Sequence, residues 1–298
     1  MRGKKILSWA LGNPLATMIG LRFNHARPLV LLYHGVTDQP PTAIEKYHGK
    51  HIPAENFRRQ ITWLKQHFTI VPLAEVEALV LAGVSAKKPL AAITFDDGYQ
   101  NNFRCAFPIL RAANVTATFF LTGDFVDRRQ PLWPDQLAYL CGDDIVAYAR
   151  RRQELKTGSG KKITGKKSEL ILGANCTPLT WEEIKIMAGA GMSFGAHTLT
   201  HPILSRLTES EQAREILESK KLIESKLGRC PHFAYPNGQP GDWNEATLKI
   251  LREAGWRTAW TTIPHRLRPG QEQPFLLPRV TIAAYHDDYR FRTLATIL

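Results

Sequence analysis

The run Leu90-Ala91-Ala92-Ile93-Thr94-Phe95 stops abruptly at Asp96-Asp97-Gly98-Tyr99, and no other stretch limits the fold as strongly. Its apolar, partly β-branched composition suits a strand covered on both faces, as in a parallel sheet. The paired aspartates and glycine mark the turn that ends it. Ligands of such sheets bind beyond the carboxyl ends of the strands, where these two carboxylates would sit.

The pattern recurs. Pro28 to Tyr33 runs into His34-Gly35, and Met192 to Ala196 runs into His197. Helical spacing lies between such runs: Phe57, Ile61, Leu64 and Phe68 share one face of Ala54 to Phe68, and Leu73 to Leu81 and Asn102 to Ala113 read similarly. Thr180 with Glu183 predicts a capped helix start, and Glu209 to Leu227 a long charged helix closed by Gly228. Short strands are expected at Thr69 to Val71, Ala117 to Leu121, His232 to Ala234, Thr258 to Thr262 and within Phe275 to Ala284. Strand and helix taking turns predict an α/β chain folded as a distorted (β/α) barrel of about seven parallel strands, with a doubly wound open sheet as the alternative. A single catalytic domain is expected over residues 28–298, with an inserted basic segment at about 127–177, where the rhythm breaks.

Residues 1–27 form an apolar and basic N-terminal segment. Asn13-Pro14 interrupts its apolar run, no A-x-A cleavage pattern follows, and the run is shorter than the ~20 residues that span a bilayer. An amphipathic helix packed on the domain is expected, with interfacial membrane contact next because Lys4, Lys5 and Arg22 flank it. The formal net charge of +12 favours an anionic partner. Without zinc-finger spacing, an RNA-binding aromatic signature or a basic region with heptads, nucleic acid is disfavoured. Cys105, Cys141, Cys176 and Cys230 are scattered with no C-x-x-C pair, which argues against a cysteine metal site or a disulfide framework. These features point to a cytoplasmic protein, at a membrane face if the N-terminal segment makes contact.

Three strand ends carry hard-ligand or acid–base groups: Asp96-Asp97, His197 with His201, and His34. One carboxylate and two imidazoles are a common ligand set for a catalytic divalent metal, and zinc, iron or cobalt would accept it. A second carboxylate beside them can serve as a base. Each piece alone can occur by chance; together at the ends of one parallel sheet they are a much stronger signal.

Thr94-Phe95-Asp96-Asp97-Gly98, His197-Thr198-Leu199-Thr200-His201-Pro202 and Tyr235-Pro236-Asn237-Gly238 resemble, in order, the first three motifs of the polysaccharide deacetylases, the nodulation-factor deacetylase-like carbohydrate esterases. The resemblance covers roughly Pro28 to Ala284 and is nearest the bacterial exopolysaccharide branch. It implies a metal-dependent hydrolase that removes N-acetyl groups from an acetylated glycan or glycolipid, with Asp96 as base and Asp97, His197 and His201 holding a divalent metal, zinc first among candidates. Tyr235, Pro236 and Asn237 would form a wall of the substrate groove, an N–H of the turn helping to hold the oxyanion. Ala234 stands where many members carry arginine, and Arg279 is the candidate for restoring that charge beside Asp96. The family's late Leu-x-His has no clear match here, so His34 is preferred over His286 as the general acid. A catalytically weak carbohydrate-binding protein on the same fold, or a hydrolase of another linear amide, are the alternatives.

Overall fold

The computed structural model describes residues 14–157 and 173–297. Its strands are β1 (Leu29–Tyr33), β2 (Gly35–Thr37), β3 (His51–Pro53), β4 (Thr69–Ile70), β5 (Leu90–Phe95), β6 (Thr118–Leu121), β7 (Ser193–Ala196), β8 (Phe233–Ala234), β9 (Ala259–Trp260) and β10 (Val280–Thr281). Seven follow one another across the main sheet in the order β10-β1-β5-β6-β7-β8-β9, all parallel, and β4 pairs with the start of β5. The ring is closed by the segment before β10. Leu277 bridges Trp260 in parallel, with Thr261 N–H donating to Leu277 O (2.7 Å) and Leu277 N–H to Ala259 O (3.0 Å), while β10 pairs with β1. The chain is therefore a distorted (β/α) barrel rather than an open doubly wound sheet.

Successive strand residues serve two cores, as a period of two requires. Leu29, Leu31 and Tyr33 of β1, with Ala91, Ile93 and Phe95 of β5, pack among helix residues such as Phe57, Ile61 and Leu64. Val30, Leu90, Ala92, Phe120, Ala234 and Trp260 meet in a second cluster with Leu277. Continuing the second parity along β5 brings in Thr94 and then Asp96, both of which bond Arg279. The alternation that builds the barrel thus also selects which side chain at the strand end meets that arginine.

Two of the predicted helix starts carry capping boxes. Thr180 accepts from Glu183 N–H while the Glu183 carboxylate takes the Thr180 N–H, and Thr208 and Glu211 repeat the arrangement before helix Glu209–Leu227. That helix ends at Gly228 in the left-handed region, as expected. Other segments depart from the reading. Asn102 to Ala113 begins as a π-helical turn, Asn102–Ala106, before α-helix Phe107–Ala112. β2 and β3 form a separate two-stranded parallel sheet that their short lengths concealed.

Of the N-terminal segment, helix Pro14–Asn24 is described, and the expected apolar run before residue 14 lies outside the described residues. The helix packs on the C-terminal helix Asp288–Ile297, where Gly20 faces the Thr296 backbone and Asn24 Nδ2 donates to Thr296 O (3.1 Å). Residues 127–177 hold helices Trp133–Cys141 and Ile145–Thr157 and a 3₁₀ turn Ala174–Cys176. Arg150, Arg151 and Arg152 of the basic run lie on the second helix, and its continuation at 158–172 lies outside the described residues. All four cysteines are free.

Candidate active site

Asp96 and Asp97 follow β5, His197 follows β7, and the turn after β7 returns His201 to the same place. Asp97 Oδ1 lies 3.5 Å from His197 Nε2 and 3.3 Å from His201 Nε2, and all three ligand atoms fall within 4.8 Å of one another. Four donors at about 2.0–2.2 Å around a tetrahedral metal are about 3.3–3.6 Å apart, so the two measured edges fit one. Asp97 Oδ1 is buried and has no hydrogen-bond partner, a costly condition for a carboxylate oxygen unless something absent from the chain itself completes it. The donor chemistry and the orphaned oxygen both fit a divalent cation.

The second nitrogen of His197 fixes its orientation. Nδ1–H donates to Ala234 O (2.9 Å), which leaves the Nε2 lone pair facing Asp97. Burial lowers the His197 pKa to about 4 against the opposing pull of Asp96, so the ring is neutral at pH 7. His201 is held through its loop. Thr198 Oγ accepts from His201 N–H (3.0 Å), and Glu215 of helix Glu209–Leu227 accepts from the N–H groups of Leu199 (2.9 Å) and Thr200 (2.8 Å) and from the Thr200 hydroxyl (2.7 Å). Trp133 Nε1–H donates to His201 O (3.2 Å).

Asp97 (φ 75°), Thr198 (63°), His201 (62°) and Asn237 (60°) are four of the six described non-glycine residues at positive φ. For β-branched Thr198 that region is strained, and the surrounding bonds to its hydroxyl and carbonyl hold it there. Four strained or unusual backbone positions thus lie together at these strand ends.

Arg279 meets Asp96 in a buried fork, Nη1 to Oδ1 at 2.6 Å and Nη2 to Oδ2 at 2.8 Å, with 0% and 2% of the two side chains exposed. Its remaining donors go to Thr261 O (3.0 Å) and Thr94 Oγ (3.2 Å), and its plane lies over Phe120. Asp96 Oδ2 lies 4.0 Å from His197 Nε2, which puts this carboxylate beside the three-donor cluster.

His34 occupies the one-residue gap between β1 and β2. Burial lowers its pKa, with Asp97 pulling upward and Lys50 adding to the lowering. A side chain at Gly35 would collide with His51 and Asn101, so only glycine lets the backbone pass there. His286 instead accepts from Ala283 N–H (3.1 Å) in the turn before the C-terminal helix. In the third motif the side chain of Tyr235 is 1% exposed, packs against Trp243 and donates its hydroxyl to Phe275 O (2.8 Å). The expectation that this ring lines the groove is corrected: the side chain belongs to the core. Pro236 is buried, whereas Asn237 is half-buried with an Nδ2 that has no partner.

Sequence reasoning missed Lys50, Asp135 and Glu215, and gave Tyr99 no role. Lys50 lies against Asp97 Oδ2 (3.4 Å), Tyr99 OH (3.0 Å) and Asp135 Oδ1 (3.5 Å). Burial acts to lower its pKa, but Asp135 and Asp97 outweigh that and raise it, so it is charged at neutral pH. Tyr99 alone carried a signal, by following Asp96-Asp97-Gly98 directly.

A closed parallel barrel here presents a carboxylate–imidazole cluster at the carboxyl ends of its strands, where barrels of this kind place their chemistry. Residues 83–259 match the polysaccharide deacetylase family, and the chain belongs to it. YxkH of Bacillus subtilis (strain 168), whose name places it in the same family, is 25% identical over 238 residues, 79% of this chain and 64% of that protein. The poly-beta-1,6-N-acetyl-D-glucosamine N-deacetylase of Escherichia coli (strain K12) is 28% identical over 266 residues, 86% of this chain and 36% of that protein. The chain thus spans less than two thirds of each relative's length. The solved structure of Streptococcus pyogenes deacetylase PplD in complex with acetate has the same fold, with a TM-score of 0.65 at 22% identity over 92% of this chain and 99% of that one.

Proposed function

We propose that the chain removes N-acetyl groups from an N-acetylated sugar in a polysaccharide or glycolipid intermediate by hydrolysis, with Asp96 as the base. The observation that carries this is the meeting of an Arg279-braced carboxylate with the Asp97, His197 and His201 cluster. Asp97, His197 and His201 would hold a divalent cation, zinc first among candidates, which would supply Lewis acidity toward the attacking water and the acetyl carbonyl.

The chain's own residues do the rest. Asp96 takes a proton from the attacking water; Arg279 occupies one lone pair on each oxygen and leaves the others to accept. In the third motif, Tyr235 N–H is bonded to Trp260 O, Pro236 has no N–H and Gly238 N–H is bonded to Pro236 O. Asn237 is left as the turn position whose amide hydrogen can meet the developing oxyanion. His34 delivers a proton to the departing amine. Burial lowers its pKa, so the proton it hands over is first taken up from solvent, and the proton taken by Asp96 returns to solvent after the products leave.

Acetate release from poly-β-1,6-N-acetylglucosamine, other N-acetylhexosamine oligomers and lipid-linked sugars tests the reading. Release is expected with added divalent metal and is expected to stop on chelation. A cation-loaded protein that releases acetate from none of them overturns the N-deacetylase reading. In the same assay His34→Ala is expected to lower kcat about 100-fold or more; full turnover removes His34 from the mechanism.

Peripheral contact with an anionic membrane, on the cytoplasmic side, belongs to the same proposal. Helix Pro14–Asn24 exposes Met18 (62%), Ile19 (46%) and Phe23 (79%) beside Arg22, and among the described residues no helix is long and apolar enough to cross a membrane. Co-sedimentation with phosphatidylglycerol vesicles, weaker with neutral vesicles and lost in Phe23→Asp, is the expected result. Binding that ignores both changes rejects the contact.

A further inference from the structure

Lys50 approaches the site from the turn after Gly49, immediately before β3. Its ammonium has three hydrogens to donate, and three acceptors surround it: Tyr99 OH at 3.0 Å, Asp97 Oδ2 at 3.4 Å and Asp135 Oδ1 at 3.5 Å. Tyr99 passes its own hydroxyl hydrogen to Asp135 Oδ2 at 2.8 Å. The donors are spent inside the protein, so Lys50 has none left for a substrate. Its partners are fixed, with Tyr99, Asp97 and Asp135 all buried at 0%, 1% and 7% exposed.

Asp97 presents a problem that this network solves. A carboxylate rotates softly about its last torsion, and either oxygen, or both, could face the two imidazoles. Oδ2 is the oxygen that Lys50 holds, and Oδ1 is the oxygen 3.3–3.5 Å from His201 and His197 with no other partner. We infer that Lys50, braced by Tyr99 and Asp135, is a positioning residue that commits Asp97 to a single inward-facing oxygen in the cation site. This rests on reading Asp97, His197 and His201 as that site.

The opposing explanation is that Lys50 merely neutralises a buried carboxylate. The two differ in sign. A bare positive charge beside the site repels a dication, so removing a simple counter-charge tightens cation binding. Removing a positioning group weakens it, by about 10–100-fold for partners of metal ligands. The probe is Co²⁺, titrated by chelator competition into the wild-type protein, Lys50→Met and Tyr99→Phe, with the visible spectrum of each Co²⁺ form recorded. Lys50→Met is expected to bind Co²⁺ about 10–100-fold more weakly and to lose absorbance, as a freed Asp97 offers both oxygens and the coordination number rises. Tyr99→Phe, which keeps every charge and loosens the brace, is expected to move both readouts in the same direction by less. It decides the matter alone if Lys50→Met does not fold. Equal or tighter Co²⁺ binding with an unchanged spectrum in the variants overturns the inference and leaves the metal site standing. A wild-type protein that binds no Co²⁺ overturns both.

Discussion

Asp96→Asn is expected to lower kcat/KM for acetate release by about 10²–10⁴-fold, the range for loss of a general base, while divalent cation still binds. Asparagine keeps the size of aspartate and one carbonyl oxygen able to accept from Arg279. It removes the basic oxygen and turns an N–H₂ toward a guanidinium nitrogen that now sits 2.8 Å from Oδ2. Two donors then face each other and the buried Arg279 guanidinium loses its counter-ion, at a cost to stability of about 3–5 kcal/mol, so circular dichroism and metal content must accompany the kinetics. Undiminished turnover in folded, cation-loaded Asp96→Asn would falsify the assignment of the base.

Arg279→Leu is the second large effect. The fork to Asp96 is buried on both sides, and removing one member of such a pair leaves a charge with neither water nor a counter-ion, costing about 3–5 kcal/mol. Thr261 O and Thr94 Oγ lose a donor at the same time. Chemical denaturation should show that loss, and Arg279→Lys should recover only part of it because an ammonium cannot span both carboxylate oxygens. A loss below about 1 kcal/mol, typical of a surface pair, would mean that the carboxylate is held by something else. Both changes break the buried pair and cost stability, and only Asp96→Asn removes the basic oxygen, so the rate of the folded protein separates the two residues.

Most of the barrel was legible because its central strands are apolar runs that end on polar residues, and because helices with apolar spacing, capped from Thr180 onward, separate them. The closing segment was less so. Leu277-Pro278-Arg279 has no strand-like alternation, and its bridge to Trp260 is a tertiary fact. β2 and β3, at three residues each, carry too little pattern to be read. At the site, Asp96, Asp97, His197 and His201 stood out because strand ends present them in recognisable motifs. Lys50 reaches Asp97 across 47 positions and Asp135 across 85, and neither lies in a motif. Glu215 reads as one more charge on a solvated helix; only the fold turns it toward the backbone of the His201 loop. Tyr235 was misjudged for the opposite reason, since its motif position suggested a groove while packing with Phe233 and Trp243 took the ring inward.

Arg279 and Asp96 lie 183 positions apart, and the arginine rides on the segment that bridges β9 and leads into β10 beside β1. The first and last strands of the ring must therefore meet before the base acquires its counter-ion. A partly assembled barrel holds an Asp96 with no guanidinium beside it, and at neutral pH its charge favours leaving that strand end open to water. Completion of the fold and the pairing of Asp96 with Arg279 thus become one event.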